Sequence, residues 1–290
     1  MIYGIRFVVK YLLGKDTAER NFAVYPDDTF IISYPRSGST WSRFLVSNLL
    51  HPDIEVSFAN IDELLPATSS RSRRALKRMP RPRIIKSHNY FDHRYRNVIY
   101  IVRDPRDVVL SEYRFILKGR GIEDNYPIDA FVARFLKGEV STYGSWKQNV
   151  GTWIAARGGS ERFLLLRYED LVAKTAIELS KIAIFLGIET TPERLTQATE
   201  RSSAENMRSL EKTQGDAWVV TKGRRKDVPF VGRATSGVWK STLSEACIAQ
   251  IEKVWGPLMS SLGYELVNAE FGNAVAPDVS LSKRLYKVQF

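Results

Sequence analysis

The feature that most constrains the fold is a set of four short apolar runs separated by amphipathic stretches. The runs lie at 30–33, 83–87, 97–102 and 163–168. The third run is apolar on both faces, as the central strands of parallel sheets are. Strands that alternate with helices form βαβ units, which place helices on both faces of a parallel sheet. We therefore predict an α/β fold with a central parallel β-sheet flanked by helices on both faces.

Helical patterns fill the intervals between these runs. Asp104, Pro105 and Asp107 are typical of a helix start, because an Asp cap precedes a proline in the first turn. Another helix is expected to open at Trp41. The remaining predicted helices lie at 129–137, 144–156, 175–186, 192–200 and 244–262. No repeat or linker divides the chain, so a single domain over 1–290 is expected, with 268–290 as a surface tail.

A short polar loop follows the first strand. Positions 33–41 read S-Y-P-R-S-G-S-T-W. The N–H groups of such a loop, together with the N-terminus of the next helix, form an anion site. The nucleotide-kinase loop G-x-x-x-x-G-K-[ST] is absent, since Ser39 rather than lysine follows Gly38. The loop is therefore interpreted as a phosphate cradle of another kind, with a plain capped turn as the alternative.

The residues that leave the other strands should lie at the same edge of the sheet, where α/β proteins bind ligands. These groups are 86–88, 103–107 and 168–170. Histidine suits general-base chemistry near neutral pH. Of the three histidines, His88 leaves a strand beside Lys86, whereas His51 is expected to cap a helix and His93 to be exposed. His88 is therefore the candidate base; a structural role, held by a backbone carbonyl, is its alternative.

In their order along the chain, these motifs resemble those of the cytosolic-type sulfotransferases. Y-P-R-S-G-S-T-W at 34–41 is similar to the family's 5′-phosphosulfate loop, Y-P-K-S-G-T-T-W, and K-S-H at 86–88 is similar to its K-T-H. V-R-D-P-R-D-V-V-L-S at 102–111 resembles the family's 3′-phosphate element. Further landmarks are Y-G-S-W at 143–146, Y-E-D at 168–170 and G-R-A-T-S-G-V-W-K at 232–240. The resemblance spans 30–262.

The resemblance implies a P-loop-NTPase-like sulfotransferase fold. It also implies an enzyme that moves a sulfuryl group from 3′-phosphoadenosine 5′-phosphosulfate (PAPS) to an acceptor hydroxyl, by in-line displacement and without a metal. The catalytic residues that it implies are His88 as base, Lys86, Arg36 and Ser111. The PAPS-binding residues that it implies are Arg36, Ser37, Gly38, Ser39, Thr40, Trp41, Arg103, Ser111, Tyr168 and Arg233.

Several of these assignments have structural alternatives. Lys86 could be a solvated strand end, Arg103 could pair with a neighbouring aspartate, and Trp41 and Tyr168 could be core aromatics. In place of the family's lysine, Arg36 can stabilise charge on the leaving group but cannot donate a proton to it.

Near the C-terminus the sequence departs from the family pattern. G-R-A replaces the family's R-K-G, so Arg233 is the one charge left there, and Arg224 or Arg225 could share the grip on the 3′-phosphate. Val238 replaces the aspartate of G-D-W-K. The family's dimerisation motif is degraded after position 240, which makes a dimer of that form doubtful.

The net charge of +11 suggests an anionic partner without identifying it. A P-loop nucleotide kinase is one alternative enzyme, and the missing G-K-[ST] argues against it. A basic nucleic-acid-binding module is another alternative, but most aromatic residues lie inside apolar runs rather than on a basic stripe. No nucleic-acid partner is therefore expected.

The acceptor is left open by the sequence. The variable acceptor loops of the family fall at 51–82 and 118–127. The first contains a basic cluster, which is interpreted as a solvated face rather than an anion- or membrane-binding surface: Arg71, Arg73, Arg74, Lys77, Arg78 and Arg81. A glycan, a lipid head group and a small alcohol or phenol all fit as the hydroxyl-bearing acceptor.

The one cysteine, Cys247, and the absence of N-x-[ST] sequons favour a reducing, cytoplasmic location. No apolar run approaches the ~18 residues of a membrane span, although peripheral membrane contact stays open. Residues 1–15 are interpreted as a packed helix or strand rather than a signal peptide, because Arg6 and Lys10 interrupt their apolar pattern.

Overall fold

The computed structural model describes residue 13, residues 16–232 and residues 234–272. Four strands form one parallel sheet in the order β2–β1–β3–β4. They are β1 (Thr29–Ser33), β2 (Ile84–Ser87), β3 (Asn97–Val102) and β4 (Phe163–Arg167). Because all four run in one direction, their carboxyl ends meet at one edge, and the predicted site residues follow those ends.

Helices connect and cover the strands. They are α1 (Ser39–Leu50), α2 (Ile61–Leu64), α3 (Arg73–Lys77), α4 (Pro105–Lys118), α5 (Ile128–Lys137), α6 (Trp146–Arg157), α7 (Tyr168–Ala173), α8 (Thr175–Leu186), α9 (Pro192–Arg201), α10 (Ala204–Gln214), α11 (Trp239–Thr242) and α12 (Glu245–Ser261), with a 3₁₀ turn at Ala269–Gly272. The Asp104 side chain caps α4 by accepting the N–H of Arg106, as its sequence predicts.

Successive residues of β1 point to opposite faces of the sheet, and each face has its own hydrophobic core. Phe30 and Ile32 pack in one buried cluster with Trp153 of α6. Ile31 packs in a second cluster with Leu45 of α1. The period of two along a strand therefore buries both faces beneath helices. The predicted α/β fold with helices on both faces is confirmed.

Most of the predicted elements form within a few residues of their expected ends. The 175–186 helix has the bounds that were predicted, and the fourth strand ends at Arg167 because Tyr168 already opens α7. Helix α10 escaped the sequence analysis, since Met207 is its one buried residue and its apolar pattern is therefore weak. The expectations for 1–12, 14–15 and 273–290 lie outside the described residues.

The basic cluster of 71–81 divides into paired and solvated members. Arg73 forms an ion pair with Asp16, and Arg81 pairs with Asp27. Three further members are exposed on or beside α3: Arg74, Lys77 and Arg78. Part of the cluster thus ties the segment before β1 to the segment around α3.

Candidate active site

The loop between β1 and α1 has a backbone that one glycine makes possible. Gly38 has φ = 94°, and a Cβ at this position would lie 2.5 Å from a ring carbon of Tyr168. No side chain caps the helix that begins after Gly38. The first N–H groups of a helix have no partner inside the helix and carry its positive dipole end. The first backbone N–H groups of α1 are therefore placed to donate hydrogen bonds to an anion or to water.

Ser37 adds a second indication of an anion. Its side chain is fully buried, and within the described residues its hydroxyl has no hydrogen-bond partner. A buried hydroxyl without a partner is costly unless a ligand satisfies it. The loop residues thus fit the phosphosulfate group that the family resemblance implies.

Arg36 is held in one position by three groups. Its Nε donates to Ser111 Oγ at 3.2 Å, and its guanidinium carbon lies 4.6 Å and 4.8 Å from the ring centres of Phe115 and Phe230. Burial lowers the pKa of Arg36 to about 10, while Glu112 opposes that shift. Arg36 stays charged at neutral pH, and stacking fixes the plane of that charge.

Arg103, which follows β3, links the loop to the segment at 234–237. It donates to the carbonyl of Arg36 at 3.2 Å and to that of Thr235 at 3.3 Å. Its guanidinium lies 4.3 Å from the ring centre of Tyr168, against which Trp41 packs edge-on at 5.9 Å. The Nε of Arg103 is buried without a hydrogen-bond partner among the described residues. The predicted 3′-phosphate and adenine contacts are therefore grouped around one arginine.

Asp107 anchors the far segment, a role that the sequence analysis did not assign. Its carboxylate accepts the N–H of Gly237 at 2.7 Å and that of Trp239 at 3.0 Å. Arg103 lies 3.9 Å from the same carboxylate, at the outer limit of an ion pair. The expected alternative for Arg103, a pairing with a neighbouring aspartate, is thus present only as a long contact.

His88 follows β2 with its ring orientation fixed. Its Nδ1 lies 2.7 Å from the carbonyl oxygen of Ser33. A carbonyl only accepts hydrogen bonds, so Nδ1 carries the proton of the neutral ring and Nε2 keeps its lone pair. Burial, reinforced by the charge of Lys86, holds the pKa of His88 well below its usual range. His88 is therefore an unprotonated base at neutral pH.

Lys86 is buried beside His88, so the solvated strand end considered for it is wrong. Burial and repulsion from Arg43 hold the pKa of Lys86 well below its usual range, whereas Glu19 and Asp62 oppose the shift. Arg43 itself is tied to Asp62 at 2.6 Å. A negative charge bound beside Lys86 would oppose this shift and favour the protonated form of its amine.

These groups share one cleft of about 1740 Å³. The predicted site residues that line it are Arg36, Gly38, Ser39, Thr40, Trp41, Lys86, His88, Arg103, Ser111 and Tyr168. Arg233 lies outside the described residues, and Ser37 is buried and is not among the residues that line the cleft. Of the two arginines considered as its substitutes, Arg224 lines the cleft. Arg225 pairs with Asp124 and Asp227 instead.

The other two histidines take the roles that were expected. The N–H of His51 donates to the carbonyl of Ser47 at the end of α1, and His93 is exposed. The described ranges contain no group of three or more His, Cys, Asp or Glu side chains placed to hold a metal ion. In those same ranges no helix has the length and hydropathy to cross a bilayer.

The sequence matches the family model described as "Sulfotransferase domain" over residues 26–263. It is 29% identical to Sulfotransferase 1A1 of Rattus norvegicus, over 82% of this chain and 87% of the relative. It is also 29% identical to Sulfotransferase 1E1 of Bos taurus, over 84% of this chain and 86% of the relative.

Solved structures show the same fold. A retinol dehydratase in complex with androsterone and the inactive cofactor PAP superposes with a TM-score of 0.72 at 18% identity, covering 90% of this chain and 88% of that one. Mouse sulfotransferase SULT7A1, complexed with PAP, superposes with a TM-score of 0.67 at 21% identity, covering 86% and 91%.

Proposed function

The chain belongs to the sulfotransferase domain family and is a PAPS-dependent sulfotransferase, and we propose that His88 is the base that activates its acceptor hydroxyl. The observation that carries the proposal is the 2.7 Å contact of His88 Nδ1 with the Ser33 carbonyl. This contact leaves Nε2 as the free acceptor of a neutral imidazole in the cleft. A general base needs that tautomer, and it needs to be unprotonated at the working pH.

The PAPS half of the cleft consists of the 34–41 loop with Arg103, Ser111 and Tyr168. The loop amides and the α1 N-terminus would hold the 5′-phosphosulfate. Arg103 and Ser111 would hold the 3′-phosphate, and Trp41 and Tyr168 would bound the adenine. The fit is supported by Arg103, which lines the cleft and whose buried Nε lacks a partner within the described residues.

The chemistry then divides among three side chains. When bound, PAPS would supply the sulfuryl group for transfer to the acceptor oxygen, with PAP as the leaving group. His88 Nε2 takes the acceptor proton. Arg36 and Lys86 stabilise the charge that develops on the leaving phosphate oxygen, which fixed cations in a water-poor site do efficiently. An in-line approach requires the acceptor to enter from the His88 side.

The acceptor is proposed to be a hydroxyl-bearing compound. Two structural neighbours, both complexes of retinol dehydratase, contain androsterone and retinol, and each of these molecules carries a hydroxyl group. The cytoplasm is proposed as the compartment, because the one cysteine, Cys247, is a buried free thiol, as suits a reducing environment.

Transfer of label from ³⁵S-PAPS tests the function directly. We expect labelled product from a panel of phenols, alcohols and sugars in the presence of EDTA, with PAP as the co-product. Label transfer from γ-³²P-ATP in place of PAPS, or transfer that requires Mg²⁺, would instead support the nucleotide-kinase alternative. Boiled protein supplies the blank.

A further inference from the structure

Glu112 is a buried carboxyl in the cleft that the proposed mechanism does not use. It follows Ser111 on α4, and 5% of the residue is exposed. It lines the same cleft as His88 and Lys86. Its Oε2 atom is inaccessible to solvent and has no hydrogen-bond partner among the described residues. A buried carboxylate oxygen without a partner is costly, so its presence in a binding cleft points to a ligand that satisfies it.

The charges around Glu112 restrict what that ligand group can be. Arg36 and Arg224 both act on the carboxyl electrostatically, while burial raises its pKa to about 7. The Nε of Arg36 donates its hydrogen bond to Ser111, and the guanidinium of Arg224 lies 4.3 Å from the ring centre of Phe115. An ammonium group would be repelled by the two arginines, and a carboxylate would be repelled by Glu112 itself. A neutral hydroxyl can donate to Glu112 without either repulsion.

The walls beside Glu112 are largely apolar. Phe115 and Ile116 of α4 face the cleft together with Phe230 from the segment after α10. Val140 and Tyr143 line it from the segment after α5. Such walls bind the body of a ring compound, with a few polar groups to orient it.

We propose that Glu112 selects the acceptor by receiving a hydrogen bond from a second hydroxyl group, so that the preferred acceptor is a diol with an apolar ring body. One hydroxyl lies at His88 Nε2 for transfer, and the other donates to the Glu112 carboxylate, which lines the same cleft. This inference rests on the proposed function, since it divides the acceptor between the two groups. A mono-alcohol of the same shape would leave Glu112 buried and unpaired, which is how polar sites reject analogues that lack a donor.

Calorimetry on the protein–PAP complex tests the inference without turnover. The probes are 2-naphthol, the isomeric dihydroxynaphthalenes, which vary the separation of the two hydroxyl groups, and an aminomethyl naphthol as the cationic analogue. At pH 8, above the pKa of about 7 that burial gives Glu112, we expect at least one diol to bind about tenfold or more tightly than 2-naphthol, the range for one hydrogen bond to a charged group. The amine is expected to bind no better than 2-naphthol.

Two variants and a matched control locate the preference. Glu112→Leu should abolish it, and Glu112→Gln should reduce it. Glu189→Gln makes the same chemical change at an exposed site outside the cleft and should keep the full preference. Melting temperatures at or above that of the wild type would show that the Glu112 variants fold.

Three results would overturn the inference: no diol preferred by the wild type, a preference that survives in Glu112→Leu, or tightest binding of the amine. The function is judged separately by ³⁵S transfer. Equal transfer to 2-naphthol and to the diols would contradict the diol preference alone. Diol-selective binding without any transfer would contradict the function alone.

Discussion

The two halves of the cleft are built in different ways. In the PAPS half, the side chains hold one another: Arg36 donates to Ser111, Arg103 donates to the Arg36 carbonyl, and Gly38 lets Tyr168 close on the loop. In the acceptor half, which comprises Glu112, Arg224 and the apolar walls beside them, Arg224 stacks on Phe115, and Glu112 Oε2 has no hydrogen-bond partner among the described residues.

This difference separates binding from selection. A preorganised set of donors suits one defined anion, because no rearrangement is needed when charge develops. An unpaired carboxyl in an apolar wall discriminates against ligands that lack a hydrogen-bond donor for it. We therefore expect changes in the PAPS half to affect all acceptors alike, and changes in the acceptor half to affect them unequally.

The largest effect is expected at His88, where the two halves meet. His88→Asn should lose about 10²–10⁴-fold in kcat, the usual contribution of a general base, while PAP affinity stays near wild type. The exposed His93→Ala is the control and should behave as wild type. Steady-state rates with any working acceptor check this, and a His88→Asn enzyme within tenfold of wild type would remove His88 from the mechanism.

The pH profile sharpens the same assignment. The active form of His88 is unprotonated, and its pKa is held below the ordinary 6.5 by burial and by Lys86. As the pH falls through that lowered pKa, His88 protonates and kcat/KM should fall. The acid limb is therefore expected below pH 6.5. A limb above 6.5 that persists in His88→Asn would belong to another group.

The second effect concerns Glu112 in the acceptor half and the pH dependence of the free energy of unfolding. The fold raises the pKa of Glu112 from 4.5 to about 7, so the folded protein favours the protonated form. That contribution is present below pH 4.5 and is lost as the pH rises through 7. Over this window the shift corresponds to about 3 kcal/mol.

Urea unfolding of Glu112→Gln and wild type at pH 5 and pH 8 measures this contribution. From pH 5 to pH 8, the free energy of unfolding of wild type should fall relative to that of the variant by up to about 3 kcal/mol. Glu189→Gln should show no such gain. A difference that does not change with pH would mean that Glu112 carries no raised pKa.

The third effect divides the PAPS half itself. Arg36 is assigned to charge that develops in the transition state, and Arg103 to charge already present on the bound nucleotide. Arg36→Met should lower kcat by a larger factor than it lowers the affinity for PAP. Arg103→Met should weaken the binding of PAP by about 1.5–3 kcal/mol, an effect at least as large as its effect on kcat. Calorimetry paired with steady-state kinetics checks both, and an identical split in the two variants would refute the distinction.

The grouping of the proposed PAPS-half residues in one cleft was largely predictable from sequence, because these residues are adjacent in the chain or follow strand ends. The contacts that complete it were not. Asp107 binds backbone more than a hundred residues away, at Gly237 and Trp239. Arg225 looked equivalent to Arg224 until the folded chain placed it between two aspartates. Local pattern contains neither fact.

Glu112 shows the same limit in the acceptor half. It stands beside the recognised Ser111, yet adjacent helical residues point about 100° apart, as 3.6 residues per turn require. Only the packing of α4 against the other walls of the cleft shows that both side chains reach it. Glutamate is rarely buried in proteins, so the residue type at position 112 did not predict the burial of Glu112.

The central claim is that the PAPS half is preorganised to bind a 3′-phosphorylated nucleotide. The most direct test compares the binding affinities of the protein for PAP and for 5′-AMP. Calorimetry on the wild-type protein in EDTA should show PAP binding tighter by about 1.5–3 kcal/mol, since AMP forfeits the charge-assisted contacts at Arg103 and Ser111. Arg103→Met should narrow that gap. Equal affinities for PAP and AMP, or binding of either that requires Mg²⁺, would contradict the claim.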